Sequence, residues 1–223
     1  MTIAAGIVHD LPVRALDLCG VTWSGEYLYF AEIFSQQIGA VDPASGEVVR
    51  RIPCPDVAGD LTTLRGALLQ VVGEDRHLRL LDPATGGEMD EWPSPRPGHL
   101  ISGLEACRDG VWIGYADLSI VELRDPDRFR LLECVEVGHP VTGVTVSDGF
   151  LVHSDRDASR VRLTDPATGQ QRLPVMVWGR PTAVTWDGRL FWYCDHATLQ
   201  LRAIELPGIT TASERGRHDR DRA

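Results

Sequence analysis

Two histidines and one glutamate near the middle of the chain have the types and spacing for acid–base or metal chemistry. His99 and His139 each follow a glycine, and each stands five residues before an apolar residue. Glu105 lies between them, where similar segments carry a threonine: Thr22, Thr62, Thr145 and Thr185. A desolvated carboxyl suits a general acid or base. We therefore predict Glu105, His99 and His139 as catalytic residues; the alternative is a solvated or hydrogen-bonded carboxylate and two turn histidines.

Two imidazoles with one or two carboxylates also form a ligand set for zinc, iron or manganese. Acidic residues recur just after a second apolar segment in each part of the chain: Glu32, Glu74, Asp117, Asp155 and Asp195. We predict His99, His139, Asp117 and Glu32 as ligands of a divalent metal. The alternative is structural, because acids at such positions often accept hydrogen bonds from the backbone of the next turn.

The remaining polar and aromatic candidates are assigned to substrate binding. Arg180 can pair with a substrate carboxylate, and Asp155 and Asp195 would give the site a negative mouth. Trp23 and Trp186 can form the wall of a small-molecule pocket. The alternative is that Arg180 balances neighbouring acids and that the tryptophans pack between sheets.

Several reaction classes are excluded by residues that the sequence lacks. All 22 residues in the lysine-plus-arginine count are arginine. A lysine Schiff base, a pyridoxal anchor and a phosphate-loop lysine are therefore excluded. No GxSxG motif accompanies Asp195-His196 or His153-Ser154-Asp155, which argues against a hydrolase triad.

The elements that must position these residues form a repeat. An Asp-Pro or related turn recurs with prolines at positions 43, 83, 126, 166 and 207, so the steps are 40, 43, 40 and 41 residues. Between the turns lie short segments rich in β-branched and aromatic residues, which are typical of strands. A period of about 40 residues with four strands indicates a β-propeller blade. The sequence predicts an all-β fold, a five-bladed β-propeller with four-stranded antiparallel blades.

The fifth repeat lacks a fourth strand, because the chain turns polar after Gly208. We expect the N-terminal segment Ile3–His9 to supply that strand and close the ring, which removes exposed sheet edges. Residues 1–210 would then form a single propeller domain and residues 211–223 a disordered polar tail. In such a ring, residues before the first strand and after the second strand of each blade converge at one mouth of the central channel.

The first repeat carries a blade pattern that also occurs in known proteins. Tyr29-Phe30-Ala31-Glu32 is followed by Gln37-Ile38-Gly39-Ala40-Val41-Asp42-Pro43 and ends at Ile52-Pro53. This stretch resembles the superfamily that includes virginiamycin B lyase, the gluconolactonase and regucalcin family, and NHL-type propellers. The resemblance implies a propeller fold. No catalytic residue is carried over, because the chain lacks the asparagine of the gluconolactonase metal site and has fewer blades than the lyase.

Composition limits the partners and the compartment. The chain has 223 residues and a formal net charge of -10, so nucleic acids and anionic membranes are poor partners. No apolar run reaches the roughly 20 residues that span a bilayer, and the N-terminus does not resemble a secretory signal. The five cysteines are widely spaced and are expected to be reduced. We predict a cytoplasmic monomer or weak dimer that binds a small molecule.

Two functions of different class fit these features. The first is a small-molecule enzyme of the lyase, cyclase or lactone-hydrolase type, which uses acid–base chemistry with or without a divalent metal at the channel mouth. The second is a non-catalytic propeller that binds a small ligand or a protein through the same face. Short loops leave little material for a macromolecular interface, which favours the enzyme.

Overall fold

The chain forms a ring of five β-sheets around a central axis. The computed structural model describes residues 3–206, and every regular element in this range is a β-strand. Two strands precede the first sheet, β1 (Ile3–Ala4) and β2 (Ile7–Pro12). Among residues 3–206 there is no helix that could span a membrane.

Each sheet is a blade of four strands in the spatial order of the chain. The first blade consists of β3 (Gly20–Trp23), β4 (Leu28–Glu32), β5 (Gln37–Val41) and β6 (Val48–Pro53). The second consists of β7 (Val57–Leu64), β8 (Ala67–Val72), β9 (His77–Leu81) and β10 (Glu88–Trp92). The third consists of β11 (Ile101–Cys107), β12 (Gly110–Tyr115), β13 (Ile120–Arg124) and β14 (Leu131–Glu136).

The last two blades also include the N-terminal strands. The fourth consists of β15 (Gly143–Ser147), β16 (Phe150–Asp155), β17 (Arg160–Thr164) and β18 (Val175–Met176), with β1 added at its outer edge. The fifth consists of β19 (Pro181–Trp186), β20 (Phe191–Asp195), β21 (Gln200–Ile204) and β2. The predicted five-bladed propeller of four-stranded antiparallel blades is confirmed.

Ring closure by the N-terminus is confirmed, but the predicted strand Ile3–His9 is shifted. The closing strand is β2, which runs antiparallel to β21 from Ile7 opposite Ile204 to Pro12 opposite Gln200. Residues Ile3 and Ala4 pair instead with the fourth blade, parallel to β18. The N–H groups of Ile3 and Ala5 donate to the carbonyls of Pro174 and Met176 at 3.4 and 3.0 Å, which satisfies these backbone groups before the chain crosses to the fifth blade.

The repeated turns are built as the sequence pattern indicates. In the first blade Asp42 Oδ1 accepts the Ala44 N–H at 2.9 Å, and Gly46 has a φ of 73°. In the third blade the same turn ends at Phe129, whose φ is 53°. Pro207 and the predicted tail, residues 211–223, lie outside the described residues, and the domain boundary at residue 210 stays a prediction.

The hydrophobic core lies between neighbouring blades. Strands such as β4, β8, β12 and β20 are buried at every residue, whereas the outer strands β6, β10 and β14 are mostly exposed. Five apolar clusters fill the boundaries between blades. Because each blade is covered on both faces, its inner strands lack polar alternation, and the innermost strands are held side by side around the channel.

Candidate active site

A cavity of about 310 Å³ opens where the innermost strands begin, a side of the ring that we call the top face. Residues of all five blades line it, and the polar ones include Asp17, Asp60, Arg76, Arg156, Thr182 and His196. Cavities of this volume accept small molecules. The top-face cavity is therefore the candidate site, at the mouth where the sequence places it.

One register position of the innermost strands forms the wall of this cavity. The five residues at that position are Cys19, Gly59, Ser102, Thr142 and Thr182. Two of their hydroxyls donate across blade boundaries: the Ser102 hydroxyl binds the Val141 carbonyl at 2.6 Å, and the Thr142 hydroxyl binds the Pro181 carbonyl at 2.9 Å. These bonds tie the innermost strands together and satisfy carbonyls that would otherwise face the cavity.

Asp60 forms part of the cavity floor and is fully buried. Oδ1 accepts the N–H groups of Val21 at 3.1 Å and of Leu61 at 2.9 Å, and Oδ2 accepts that of Leu104 at 3.0 Å. Burial raises the pKa of this carboxyl well above its ordinary value, although the three N–H groups lower it. Asp60 is thus a desolvated carboxyl, held by three consecutive blades.

The strand register explains why the Asp60 side chain fits at the centre of the ring. In the other four blades the position of Asp60 is taken by Gly20, Gly103, Gly143 and Ala183. A Cβ on Gly143 would lie 2.5 Å from the Ala183 Cα, so the neighbouring strands approach too closely for a side chain there. The single carboxyl therefore occupies space that small residues leave at the axis.

Glu105 stands two residues beyond the position equivalent to Asp60 on its own innermost strand. At that level of the channel it forms a ring with four threonines. Thr22, Thr62, Thr145 and Thr185 face the same cross-strand position as Glu105 in their own blades, so the predicted equivalence is confirmed. Burial and the charge of Asp60 raise the pKa of Glu105 well above its ordinary value, and the Thr145 hydroxyl offsets part of this rise. Glu105 Oε2 has no hydrogen-bond partner among residues 3–206.

The structure does not bring Glu105, His99 and His139 into one pocket. None of the three lines the top-face cavity. Glu105 lies deeper along its strand, because the strand has already passed the Asp60 level at that residue. The predicted common pocket is therefore corrected, whereas a catalytic role for each residue stays a prediction.

His99 pairs with Asp117, which was predicted to lie near it. Its Nδ1 lies 2.8 Å from Asp117 Oδ2, and the Leu100 N–H donates to Asp117 Oδ1 at 3.0 Å. Burial raises the pKa of Asp117, but the hydrogen bonds from His99 and Leu100 outweigh it and hold the pKa below its ordinary value. Both side chains are about one-third exposed, 34% each. This pair lies on the loops of the third blade.

His139 contacts another histidine instead. Its Nδ1 lies 2.6 Å from the Val137 carbonyl, and its Nε2 lies 3.1 Å from His153 Nδ1. His153 Nε2 lies 2.9 Å from the Thr164 hydroxyl. Burial lowers the pKa of His139, and it lowers the pKa of the fully buried His153 to about 3. The two imidazoles form a neutral chain inside the fourth blade.

The predicted metal site is not formed. No group of three or more His, Cys, Asp or Glu side chains within residues 3–206 is arranged to hold a metal ion. Glu32 accepts hydrogen bonds from Ser35 at 2.8 Å and from Arg51 at 2.6 Å. His99, His139, Asp117 and Glu32 each bind different partners, so their donor atoms do not converge. The residues present do not fit the metal expected from the sequence.

The acids after the second strands serve the turns, and they do not recur in every blade. Glu32, Asp155 and Asp195 share one register position, but Val72 and Tyr115 occupy it in the second and third blades. Asp195 accepts the N–H groups of Arg180 and Ala197, at 2.8 and 2.9 Å. Asp155 binds the Ala158 N–H at 3.1 Å and Arg162 at 2.9 Å. These contacts match the alternative given above, in which acids at such positions accept hydrogen bonds from the backbone of the next turn.

All five residues predicted to bind substrate lie outside the cavity lining. Arg180 pairs with Asp157 at 2.8 Å, and its side chain is half exposed. Trp23 and Trp186 end the innermost strands β3 and β19, so they lie at the opposite side from the top face. Trp186 packs on Phe191, with ring centroids 4.3 Å apart. Asp155 and Asp195 also do not line the cavity.

Sequence reasoning did not select Asp60, Arg76 or Arg156 as site residues, although the sequence places Asp60 before the predicted first strand of its blade, where residues were expected to converge. Asp60 could have been found by the comparison that singled out Glu105, because glycine or alanine stands at its position in the other blades. The two arginines come from turns between the second and third strands. Their side chains reach the mouth only through the path of these turns, which the strand pattern does not specify.

Comparison with known proteins identifies the fold and no family. No family model and no curated protein matches this chain in sequence. The solved structure of the glutaminyl cyclase from Myxococcus xanthus is similar with a TM-score of 0.76 and 13% identity, over 92% of this chain and 98% of that chain. The β-propeller domain of Cps50 (Swd1) from Myceliophteria thermophila is similar with a TM-score of 0.55 and 11% identity, over 90% of this chain and 86% of that chain.

At these identities the likeness shows the fold alone. The five-bladed propeller is supported, with a glutaminyl cyclase as a structural neighbour. The resemblance of the first repeat to the virginiamycin B lyase superfamily is not confirmed, because no family model matches. All five cysteines are free in the structure, which agrees with the absence of a disulfide framework in the sequence.

Proposed function

We propose that this protein is a cyclase-type enzyme that acts on a small molecule in the top-face cavity by acid–base catalysis. The observation that supports the proposal is the carboxyl of Asp60 on the cavity floor, with a pKa raised by burial. A carboxyl whose pKa is shifted toward the working pH both accepts and returns a proton effectively. A structural neighbour with cyclase activity in its name favours the cyclase type over the lyase and lactone-hydrolase types.

A glutaminyl compound is the substrate class to test, since the neighbour is a glutaminyl cyclase. In that cyclisation the amino nitrogen forms a bond to the side-chain amide carbon. The bond from this carbon to the amide nitrogen breaks, and ammonia leaves. The proton lost by the attacking nitrogen is gained by the departing nitrogen. No other reactant is needed, so one carboxyl that accepts and returns a proton is sufficient.

Asp60 lies on the cavity floor within reach of a molecule in the cavity, and Glu105 lies deeper along the channel. The charge of Asp60 raises the pKa of Glu105, so the two carboxyls resist ionising together and retain a proton between them. In this proposal Asp60 exchanges a proton with the substrate. Glu105 exchanges a proton with Asp60 and thereby returns Asp60 to its starting protonation state.

The alternative is a non-catalytic propeller that binds a ligand in the same cavity. A specific observation favours it: Asp60 is fully buried, and both of its oxygens accept backbone N–H groups. A carboxyl that only joins blades would have the same contacts. A measurement of turnover therefore has to separate the two functions.

The test is incubation of the protein with L-glutaminyl-L-alanine, with release of ammonia and the mass of the peptide as readouts. We expect ammonia release and a peptide lighter by one ammonia. N-acetylated peptide is the matched control, because its blocked nitrogen cannot attack. Asp60→Asn should abolish release while a thermal melt shows a folded protein. Ammonia release no faster than without protein would overturn the cyclase proposal and leave the binding function.

A further inference from the structure

We propose that Arg76 and Arg156 form a carboxylate-binding subsite in the top-face cavity. The ligand would then be an amino-acid-sized or dipeptide-sized molecule that keeps a free carboxylate. This inference rests in part on the proposed function, since it specifies the glutaminyl substrate as free glutamine or a short glutaminyl peptide. The subsite itself is argued from the cavity and its two guanidinium groups.

Arg76 brings a positive charge to the cavity without an acidic partner. Its Nη1 donates to the Ala58 carbonyl, and within residues 3–206 no carboxylate lies at ion-pair distance from it. The Asp17 carboxylate, which also lines the cavity, is engaged elsewhere, because it accepts the N–H groups of Ile33 and Phe34 at 2.8 and 3.0 Å. A partly buried guanidinium without a counter-charge is unfavourable, and a ligand anion would supply that charge.

Arg156 is only weakly paired. Its Nε lies 3.5 Å from Asp157 Oδ1, but the same oxygen accepts a stronger hydrogen bond from Arg180 Nη2 at 2.8 Å. Nε has no hydrogen-bond partner in the described part of the chain. The guanidinium therefore has donors left for a ligand, and a planar fork of N–H donors matches a carboxylate.

The two arginines flank one side of the mouth. Arg76 belongs to the second blade and Arg156 to the fourth, with Ala116 of the third blade between them on the lining. The small side chain of Ala116 leaves room for a ligand group. Asp17 of the first blade and His196 of the fifth line the other side. The mouth is thus positively charged on one side and acidic on part of the other, which suits a molecule with a carboxylate and an amino group.

The volume of the cavity limits the length of this ligand. About 310 Å³ is near the lower end of the range for ligand sites, roughly 300–1,000 Å³. A free amino acid or a dipeptide fits such a space, and its carboxylate then lies within the mouth. In a long peptide the carboxylate would lie outside, beyond the reach of both arginines.

Calorimetric titration with L-alanyl-L-alanine and its C-terminal amide tests the subsite without any turnover, because neither has a side-chain amide to cyclise. We expect the amide to bind at least about tenfold more weakly than the acid. Arg76→Gln and Arg156→Gln should each weaken binding of the acid by a similar factor and leave the amide unchanged. Arg65→Gln is the matched control, since Arg65 pairs with Asp127 at 2.7 Å at the end of β7, away from the top face.

The outcomes separate this inference from the proposed function. Equal binding of acid and amide, or variants that weaken both alike, would overturn the subsite even if ammonia is released from glutaminyl peptides. Carboxylate-dependent binding without ammonia release would support the subsite and contradict the cyclase. If both are correct, L-glutaminyl-L-alaninamide should show a KM at least about tenfold above that of the free acid, at similar kcat.

Discussion

Glu105 is a carboxyl in a ring of hydroxyls, and its side chain can be made non-titrating without a change of shape. Glu105→Gln removes the proton exchange that the proposed mechanism requires. We expect kcat for ammonia release to fall by at least about 100-fold, which is typical for loss of a general acid–base group, with an unchanged melting temperature. Initial rates and thermal melts measure both, and Glu47→Gln on an exposed turn is the control. A variant with full activity would contradict a catalytic role for Glu105.

His153 makes the stability depend on pH. The Val137 carbonyl only accepts hydrogen bonds, so His139 carries its proton on Nδ1, and its Nε2 accepts from His153 Nδ1–H. The pKa of His153 is lowered to about 3 in the folded protein. As the pH falls below the ordinary value near 6.5, the unfolded chain binds a proton that the folded chain does not, so folding becomes less favourable.

Urea unfolding at pH 7 and pH 5 measures this effect. The contribution of His153 should cost about 2 kcal/mol between pH 6.5 and 5, from roughly 1.4 kcal/mol per unit. The raised pKa values of Asp60 and Glu105 act in the opposite direction, because the folded protein then holds protons that the unfolded chain releases. The variant His153→Gln retains those two carboxyls. The difference in pH dependence between the unmodified protein and this variant therefore isolates the contribution of His153. Parallel pH dependences would contradict the prediction.

At the scale of residues, the sequence was informative where a register comparison was made. The comparison of Glu105 with four threonines gave its correct ring position. The same comparison at Asp60 would have shown a carboxyl among glycines. The partner of His139 was not predictable, because His153 lies on a buried strand and reaches it only through the path of the loop before β15.

The N-terminal strand β2 completes the fifth blade and covers part of its core. It pairs with β21 over Ile7–Pro12, and His9 stacks on Trp192 with ring centroids 5.8 Å apart. Deletion of residues 1–12 should therefore expose the edge of β21 and lower the melting temperature by at least about 10 °C, or prevent folding, since each lost kcal/mol costs roughly 2–4 °C at this size. Deletion of residues 1–6 removes the two-residue pairing of β1 and the buried Ala5, leaves β2 in place, and should lower it by a few degrees. Scanning calorimetry of both proteins is the measurement, and equal melting temperatures would contradict this assignment.

At the scale of elements, strand type was predictable and strand boundaries were not. The turns and the β-branched segments specify the inner three strands of each blade. The N-terminal residues pair with both the fourth and the fifth blade, through β1 and β2, and the sequence pattern does not show where the chain crosses between them. The position of Val72 and Tyr115 where an acid was expected also depends on the exact strand ends.

At the scale of the molecule, the repeat period determined the architecture. Steps of 40 to 43 residues leave four strands per repeat, and blades that are apolar on both faces must stack into a ring. The polarity of the mouth was less predictable. It results from turn residues of separate blades, Arg76, Arg156 and His196, which converge on one cavity only when the ring is closed.

Asp60 joins three blades at the axis, so its loss should be felt across the ring. Asp60→Ala would leave the buried N–H groups of Val21, Leu61 and Leu104 without their carboxyl acceptor. Each unsatisfied group costs roughly 1–3 kcal/mol, so we expect the free energy of unfolding to fall by about 3 kcal/mol or more. Hydrogen exchange should accelerate together at these three amides, whereas Asp90→Ala on the exposed strand β10 should leave them protected. Faster exchange at Leu61 alone would show that Asp60 supports only its own blade and does not couple the three.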